Sequence, residues 1–457
     1  MARGILVGAA SIAIVALVGC SSADESSPAV FPAGSPMTTE AIRFQHAVYY
    51  LPAPARDPVA VLESTVLREH PGLEIREEVP GLPEGLTVSA DIVEDVATDY
   101  TAPDLESLRY FGHGLTREQA QALQQSTSAL VLDFAHPSAR VWQGLRTANE
   151  PTETIARETG GLLWDEETRE VFTPDACHEE RLASWTGTVP DVSTQVTIHA
   201  YKKEEYVRAV TLGMLKLGLP DVVIDGFSWS SSRTMGHLVN LLGQAMAEGA
   251  VFGVGGEYAL DIHAIQHPDV RDPRVESLGE NATAQARLML RKGTWEEGDP
   301  LNRLIEIGFD AYPGPDVHAR QDAMLSSLFG AEDSIKRIAH TDELLEASER
   351  VRAKLPALRA DFLAGLAPGE LIQVKAPFPI PEGGSEWMWV EVTAWEGRTI
   401  KGLLKNEPFD IPDLHAGQVV EVDEEDVFDY IRQGPDGSRE GNETAEIIAK
   451  MSSEGAP

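Results

Sequence analysis

The chain has 457 residues, 42% of them apolar and 24% charged, with a formal charge of −36 and two cysteines. That apolar content is enough for a folded core, so wholesale disorder is excluded, and the length suggests about two to four domains. The acidic excess repels phosphate and argues against nucleic acid as a partner, while two thiols cannot build a disulfide scaffold or a cysteine-only zinc site.

The first forty residues carry the strongest local signal. Arg3 is followed by an uncharged run of apolar and small residues over 5–18. At about 1.5 Å per helical residue this run is too short to cross about 30 Å of hydrocarbon, and it has the form of a secretory leader. It closes on Leu17-Val18-Gly19-Cys20, which resembles the lipobox of bacterial lipoproteins. The resemblance implies cleavage after residue 19 and diacylation of the Cys20 sulfur, so that 1–19 is leader and Cys20 opens the mature chain. The acyl chains would make the membrane the first partner, with the protein held outside the cytosol at the cell membrane or outer membrane. Residues 20–40, rich in Ser, Pro and Ala, then read as a flexible tether.

Residues 41–190 read as an α+β domain. Strands are expected over 44–51, 87–96 and 129–134. Helices are expected after Asp57-Pro58, with Asp57 as cap and Pro58 in the first turn, after Thr116 with Gln119 completing a capping box, and over 138–159 up to Gly160-Gly161. A hairpin over 162–172 completes a β-α-β-β-α-β order that resembles a ferredoxin-like unit. Residues 191–270 form a second α+β unit, with strands over 195–201, 221–227 and 256–265 and a helix over 233–248. Residues 271–366 are expected to be mainly helical, with Pro356 kinking or breaking the last helix. Ala367-Pro368-Gly369 marks a boundary, and 367–457 is expected to be a small β-barrel or sandwich. The predicted class is therefore α+β: ferredoxin-like layers, a helical segment and a C-terminal β domain.

In that last region the runs Val374-Lys375-Ala376-Pro377-Phe378 and Glu386-Trp387-Met388-Trp389-Val390-Glu391-Val392 resemble a bacterial domain family of unknown function, DUF2314. So do Gly402-Leu403-Leu404-Lys405-Asn406-Glu407-Pro408, Leu414-His415-Ala416-Gly417-Gln418-Val419-Val420 and Gly441-Asn442-Glu443-Thr444. Asp429-Tyr430-Ile431 departs from the family's usual Asp-Trp but keeps an aromatic. The resemblance implies a domain identity and no catalytic residues. Upstream, Thr211-Leu212-Gly213-Met214 and Gly218-Leu219-Pro220-Asp221 resemble segments found ahead of this domain in similar proteins.

Four groups are candidates for chemistry. Cys177 stands beside His178, but neighbours in sequence seldom face each other, and Glu179 and Glu180 disfavour a thiolate; a structural role is expected. Asp261, His263 and His267 are the densest metal-like cluster, set against a polar strand face. Ser231, Ser232 and Arg233 lie between a strand and a helix, where backbone amides hold an anion or the serines cap the helix. Trp387, Trp389 and Trp395 are placed at period two on one side of a strand, either as a binding face or as core. Gly253-Val254-Gly255-Gly256 runs from helix to strand, the reverse of a dinucleotide loop, and Glu424-Glu425-Asp426 reads as solvated surface. With no G-x-S-x-G elbow and no cofactor motif, the preferred function is non-catalytic binding or scaffolding at the cell envelope. The alternatives are an envelope hydrolase using Asp261, His263 and His267 or the serine loop, and an immunity-type inhibitor whose acidic field steers a basic partner.

Overall fold

The computed structural model describes residues 37–444 and 447, apart from 52, 204–205, 280, 331–341, 382–383, 409–410, 412 and 436–437. The expected leader and Cys20 lie outside the described residues. The fold is α+β, and the described strands form three sheets, none closed into a barrel.

The first sheet has the order β2-β3-β5-β1-β6-β7-β4. Its strands are β1 (Ala41–Tyr50), β2 (Leu73–Ile75), β3 (Leu86–Val93), β4 (Gly112–His113), β5 (Ser128–Pro137), β6 (Leu162–Asp165) and β7 (Glu170–Phe172). β1 pairs antiparallel with β5 from Ala41↔Pro137 to Tyr50↔Ser128, and with β6 on its other edge. Both faces of β1 are buried, because the alternation that sends Ile42, Phe44, Val48 and Tyr50 to one side sends Ala47 and Tyr49 to the other. The first side is roofed by helices α1 (Pro58–Glu69) and, after the short helices α2 (Val96–Asp99), α3 (Leu105–Phe111) and α4 (Arg117–Leu123), by α5 (Val141–Thr159). The short helices cover the opposite side, where Leu108, Leu115 and Leu123 join Ala47 and Tyr49.

Local chemistry sets these helices. Asp57 Oδ1 accepts from the Val59 and Ala60 amides at 3.0 and 3.3 Å at the start of α1. Thr116 and Gln119 exchange both bonds of a capping box at the start of α4. Gly160, in the left-handed region at φ 79°, ends α5. Gly144 lets α5 lie on the His136 ring, which any added Cβ would overlap.

The second sheet, in the order β11-β12-β13-β10-β9-β8, is built from β8 (Thr197–Lys203), β9 (Tyr206–Leu212), β10 (Asp221–Phe227), β11 (Glu257–Asp261), β12 (Gln285–Lys292) and β13 (Leu304–Gly308). After α6 (Pro174–Cys177), the helices on this part of the chain are α7 (Ser232–Ala247), α8 (Pro268–Glu276) and α9 (Val317–Phe329). β10 and β13 are parallel and every other pairing in this sheet is antiparallel. The region expected to be mainly helical thus supplies two strands to this sheet. In β12 it is Ala286, Leu288 and Leu290 that turn inward at period two. The helix-covered faces of both sheets share one hydrophobic core.

The third sheet, ordered β17-β16-β15-β14-β18-β19, is wholly antiparallel: β14 (Leu371–Pro379), β15 (Ser385–Glu396), β16 (Thr399–Leu404), β17 (Val419–Asp423), β18 (Asp429–Gln433) and β19 (Arg439–Gly441). Neither a barrel nor a sandwich forms. One face of this open sheet is covered by α10 (Asp342–Ala364), which runs through Pro356 and contributes Val351, Leu355 and Leu358 to a core with Ile372, Val390 and Trp395. A helix supplies the second layer, so no second sheet is required to bury the apolar face. We expect Leu355→Ala to weaken this domain by about 2–5 kcal/mol, the usual cost of such a cavity. Amide exchange should quicken in β14–β16 and stay unchanged in β1 and β5; equal acceleration in both places would show that α10 does not belong to the third sheet alone.

Candidate functional site

The densest cluster of displaced ionisable groups lies where the β6–β7 hairpin meets the turn after β9. Asp165 closes β6 and its Oδ1 accepts from the amides of Glu167 and Thr168 in the hairpin turn. Its Oδ2 meets the Lys216 ammonium, which comes from the 3-10 turn Met214–Leu217 of the second unit. Arg181 lies 3.5 Å from Asp165 Oδ2, pairs directly with Glu170, and donates to the Thr194 carbonyl at 2.7 Å. Lys216 is 1% exposed, Arg181 4%, and both carboxylates 6%, so four charges of zero sum are enclosed together. His113 extends the network outward, with Nε2 3.1 Å from Glu170 and Nδ1 3.0 Å from Glu180, its ring stacked on Phe172.

The surroundings decide each protonation state. Burial works against the Asp165 charge, yet Lys216, His46 and Arg181 outweigh it and hold the carboxyl well below its usual range. Burial lowers Lys216 while Asp165 supports its charge. Burial brings His46 down to about 4, which leaves the ring neutral near pH 7, with Nε2 buried and unbonded. Burial also opposes the His113 charge, but the hydrogen bonds to Glu170 and Glu180 prevail and push it up to about 9.

Next to these groups is a cavity of about 10 Å³ lined in part by His46, Asn149, Thr152, Asp165, Cys177 and Arg181. That is room for about one water. Cys177 is 4% exposed and burial pushes its thiol up to about 12, so it is a packed side chain and not a thiolate. The arrangement is suited to locking the first unit to the second. A second buried ion pair lies within the second unit itself. There the buried Arg208 donates to Asp299 at 2.7 Å and to the Thr294 carbonyl at 2.8 Å.

The residues singled out from sequence are dispersed. Asp261 Oδ1 accepts from the His263 amide at 2.9 Å and Oδ2 from Gln285 at 2.8 Å. The 3-10 turn after β11 carries His263 off the strand, where it is exposed. His267 is buried, and its Nε2 lies 3.3 Å from the Thr186 hydroxyl. Among the described residues, no three His, Cys, Asp or Glu side chains are grouped to hold a metal ion. Ser231 stands at the N-cap of α7 without a side-chain capping bond, Ser232 Oγ is buried without a partner, and Arg233 is exposed. The loop just before them docks the third sheet. Trp229 lies against Gly417 and under the Lys405 ammonium, 5.1 Å from its ring centre, and Ser228 reaches Glu407 at 3.3 Å.

The tryptophans divide. Trp387 and Trp389 are half-buried on the face away from α10, Trp387 against Phe428 at 4.6 Å and Trp389 beneath Lys375 at 5.8 Å. Trp395 is in the core under α10, with its indole N–H 3.3 Å from Glu424. A bulge explains the change of side. Val392 faces Gly402 and Ala394 faces Lys401, so Thr393 is an extra residue and the period-two count breaks there.

Residues 366–455 match the family DUF2314, described as an uncharacterized protein conserved in bacteria. No curated protein and no solved structure matches the chain. The segments that carry the resemblance are tied to one another. Asn406 Oδ1 accepts from the Trp389 amide at 2.7 Å, and Glu407 holds His415 and the Ala416 amide at 2.9 and 3.1 Å. Asp429, fully buried, accepts from the Thr444 amide at 2.8 Å and its hydroxyl at 2.5 Å, while Asn442 donates to the Tyr430 carbonyl. These motifs therefore hold the sheet's register and edges.

Sequence alone missed Asp165, Arg181 and Lys216. The available signal was Lys216, a lone charge in the run Leu212-Gly213-Met214-Leu215-Lys216-Leu217-Gly218-Leu219. The network gives a pH signature. A histidine raised from about 6.5 contributes its full stabilisation below that pH and loses it as pH rises through about 9. The unfolding free-energy gap between the protein and His113→Gln should be widest near pH 6 and should close above pH 9 in urea titrations. A gap constant over that window would remove His113 from the network.

Proposed function

We propose that the chain is a lipid-anchored extracytoplasmic protein whose body serves binding or scaffolding at the cell envelope. The observation that carries the anchoring is the uncharged run over 5–18 ending in Leu17-Val18-Gly19-Cys20. No helix among the described residues is long and apolar enough to cross a membrane. From Cys20 to Met37, extended chain at about 3.4 Å per residue would reach up to about 60 Å. At its end the Met37 carbonyl accepts from Arg303 at 2.7 Å. Replacing Cys20 by Ser should abolish palmitate labelling and leave an uncleaved precursor; unchanged labelling would refute the anchor.

Binding is favoured over catalysis because the displaced ionisable groups close on one another around a cavity for about one water. The half-buried Trp387 and Trp389, with Lys375 over the second, offer aromatic surface of the kind that anchors partners. The charge of −36 would steer a basic partner towards the body. We expect Trp387→Ala/Trp389→Ala, made in the full chain, to lose the proteins that the parent captures from solubilised envelope. An unchanged capture profile would exclude this face.

A further inference from the structure

A cleft with none of the residues of the buried network in its lining opens between the first unit and the C-terminal domain. Leu105 and Arg109 of α3 and Arg117 and Ala120 of α4 form one wall, and Phe362 and Leu366 at the end of α10 form the other. Its volume is about 300 Å³, at the small end of ligand pockets. The lining holds two guanidinium groups and no carboxylate. In a chain with 73 acids and 37 bases, that is the reverse of the general surface.

Neither guanidinium is fully used. Arg109 Nη2 is shielded from solvent and makes no hydrogen bond. The nearest acid, Glu391, is 3.7 Å away and already bound by Lys405 at 2.9 Å. A buried donor left without an acceptor is unfavourable, and the Arg109 side chain as a whole is still 27% exposed. Arg117 makes no ion pair with any described residue and lies flat over Gly365, where an added Cβ would stand 2.8 Å from its Cζ. The remaining lining is mostly apolar, and Leu105, four residues before Arg109 on the same wall, is 49% exposed. Two planar cations above an apolar floor recognise one anionic head and one apolar body.

We propose that this cleft binds a small monocarboxylate with an apolar body, its carboxylate between Arg109 and Arg117 and its body on Leu105, Phe362 and Leu366. Because the walls come from both parts of the chain, the site exists only when the C-terminal domain is docked.

The test is calorimetric titration of the full chain with 4-phenylbutyrate, and with 4-phenylbutanol as the uncharged counterpart. Saturable one-to-one binding of the acid is expected, at least tenfold weaker for the alcohol and for Arg117→Gln, and weaker with added salt. Leu105→Glu, which sets an internal carboxylate beside the arginines on the same wall, should abolish it. Both positions are exposed, and unchanged melting temperatures separate loss of binding from loss of fold. Absence of saturable binding, equal binding of the alcohol, or full binding by either variant overturns the proposal.

Discussion

The pairing of Asp165 with Lys216 is the contact on which the arrangement of the first two units rests. One partner belongs to a hairpin of the first sheet and the other to a turn of the second, and water is shut out from both. Burying either alone would be strongly unfavourable, so each is tolerable only while the other unit is in place. Arg181 and Glu170, both of the first unit, complete the enclosed charges, and the shared apolar core runs continuously beside them. Lys216 meets Asp165 only with the hairpin and the turn side by side, which adds a directional constraint to the apolar core.

The C-terminal domain is attached differently. Its contacts with the body are peripheral and partly polar: the Gly369 amide to the Arg109 carbonyl, Trp229 on Gly417, and Lys202 towards the Gly417 carbonyl at 3.5 Å. The family match begins at residue 366, yet the core under that sheet draws on α10 before it. The unit that folds is therefore longer than the segment that matches.

What could be read from sequence was what local chemistry determines. Asp57 with Pro58, and Thr116 with Gln119, fix helix starts by bonds within four residues, and the structure places those starts where the residues indicate. The strand after Pro220, Asp221–Phe227, was equally legible from its short apolar run. Long-range consequences were not. The bulge at Thr393 depends on how β16 meets β15, with Gly402 permitting the close approach to the Glu391 carbonyl, and one extra residue moved Trp395 to the opposite side. β12 was missed although its alternation is local and plain, whereas the place of β13 beside β10 depends on a parallel pairing more than seventy residues away in sequence. Closure of the third sheet was expected because its strands and turns resemble those of barrels; that a preceding helix would cover it is a tertiary fact.

The way residues 37–39 enter the body has a mechanical consequence. The Thr39 amide donates to the Gly218 carbonyl at 3.0 Å, and Arg303 grips both that carbonyl and the one at Met37. Gly218 ends the turn that carries Lys216. Tension arriving at Met37 would therefore be shared between Arg303, the residue before β13, and the turn that carries the buried ammonium, as it passes into β1.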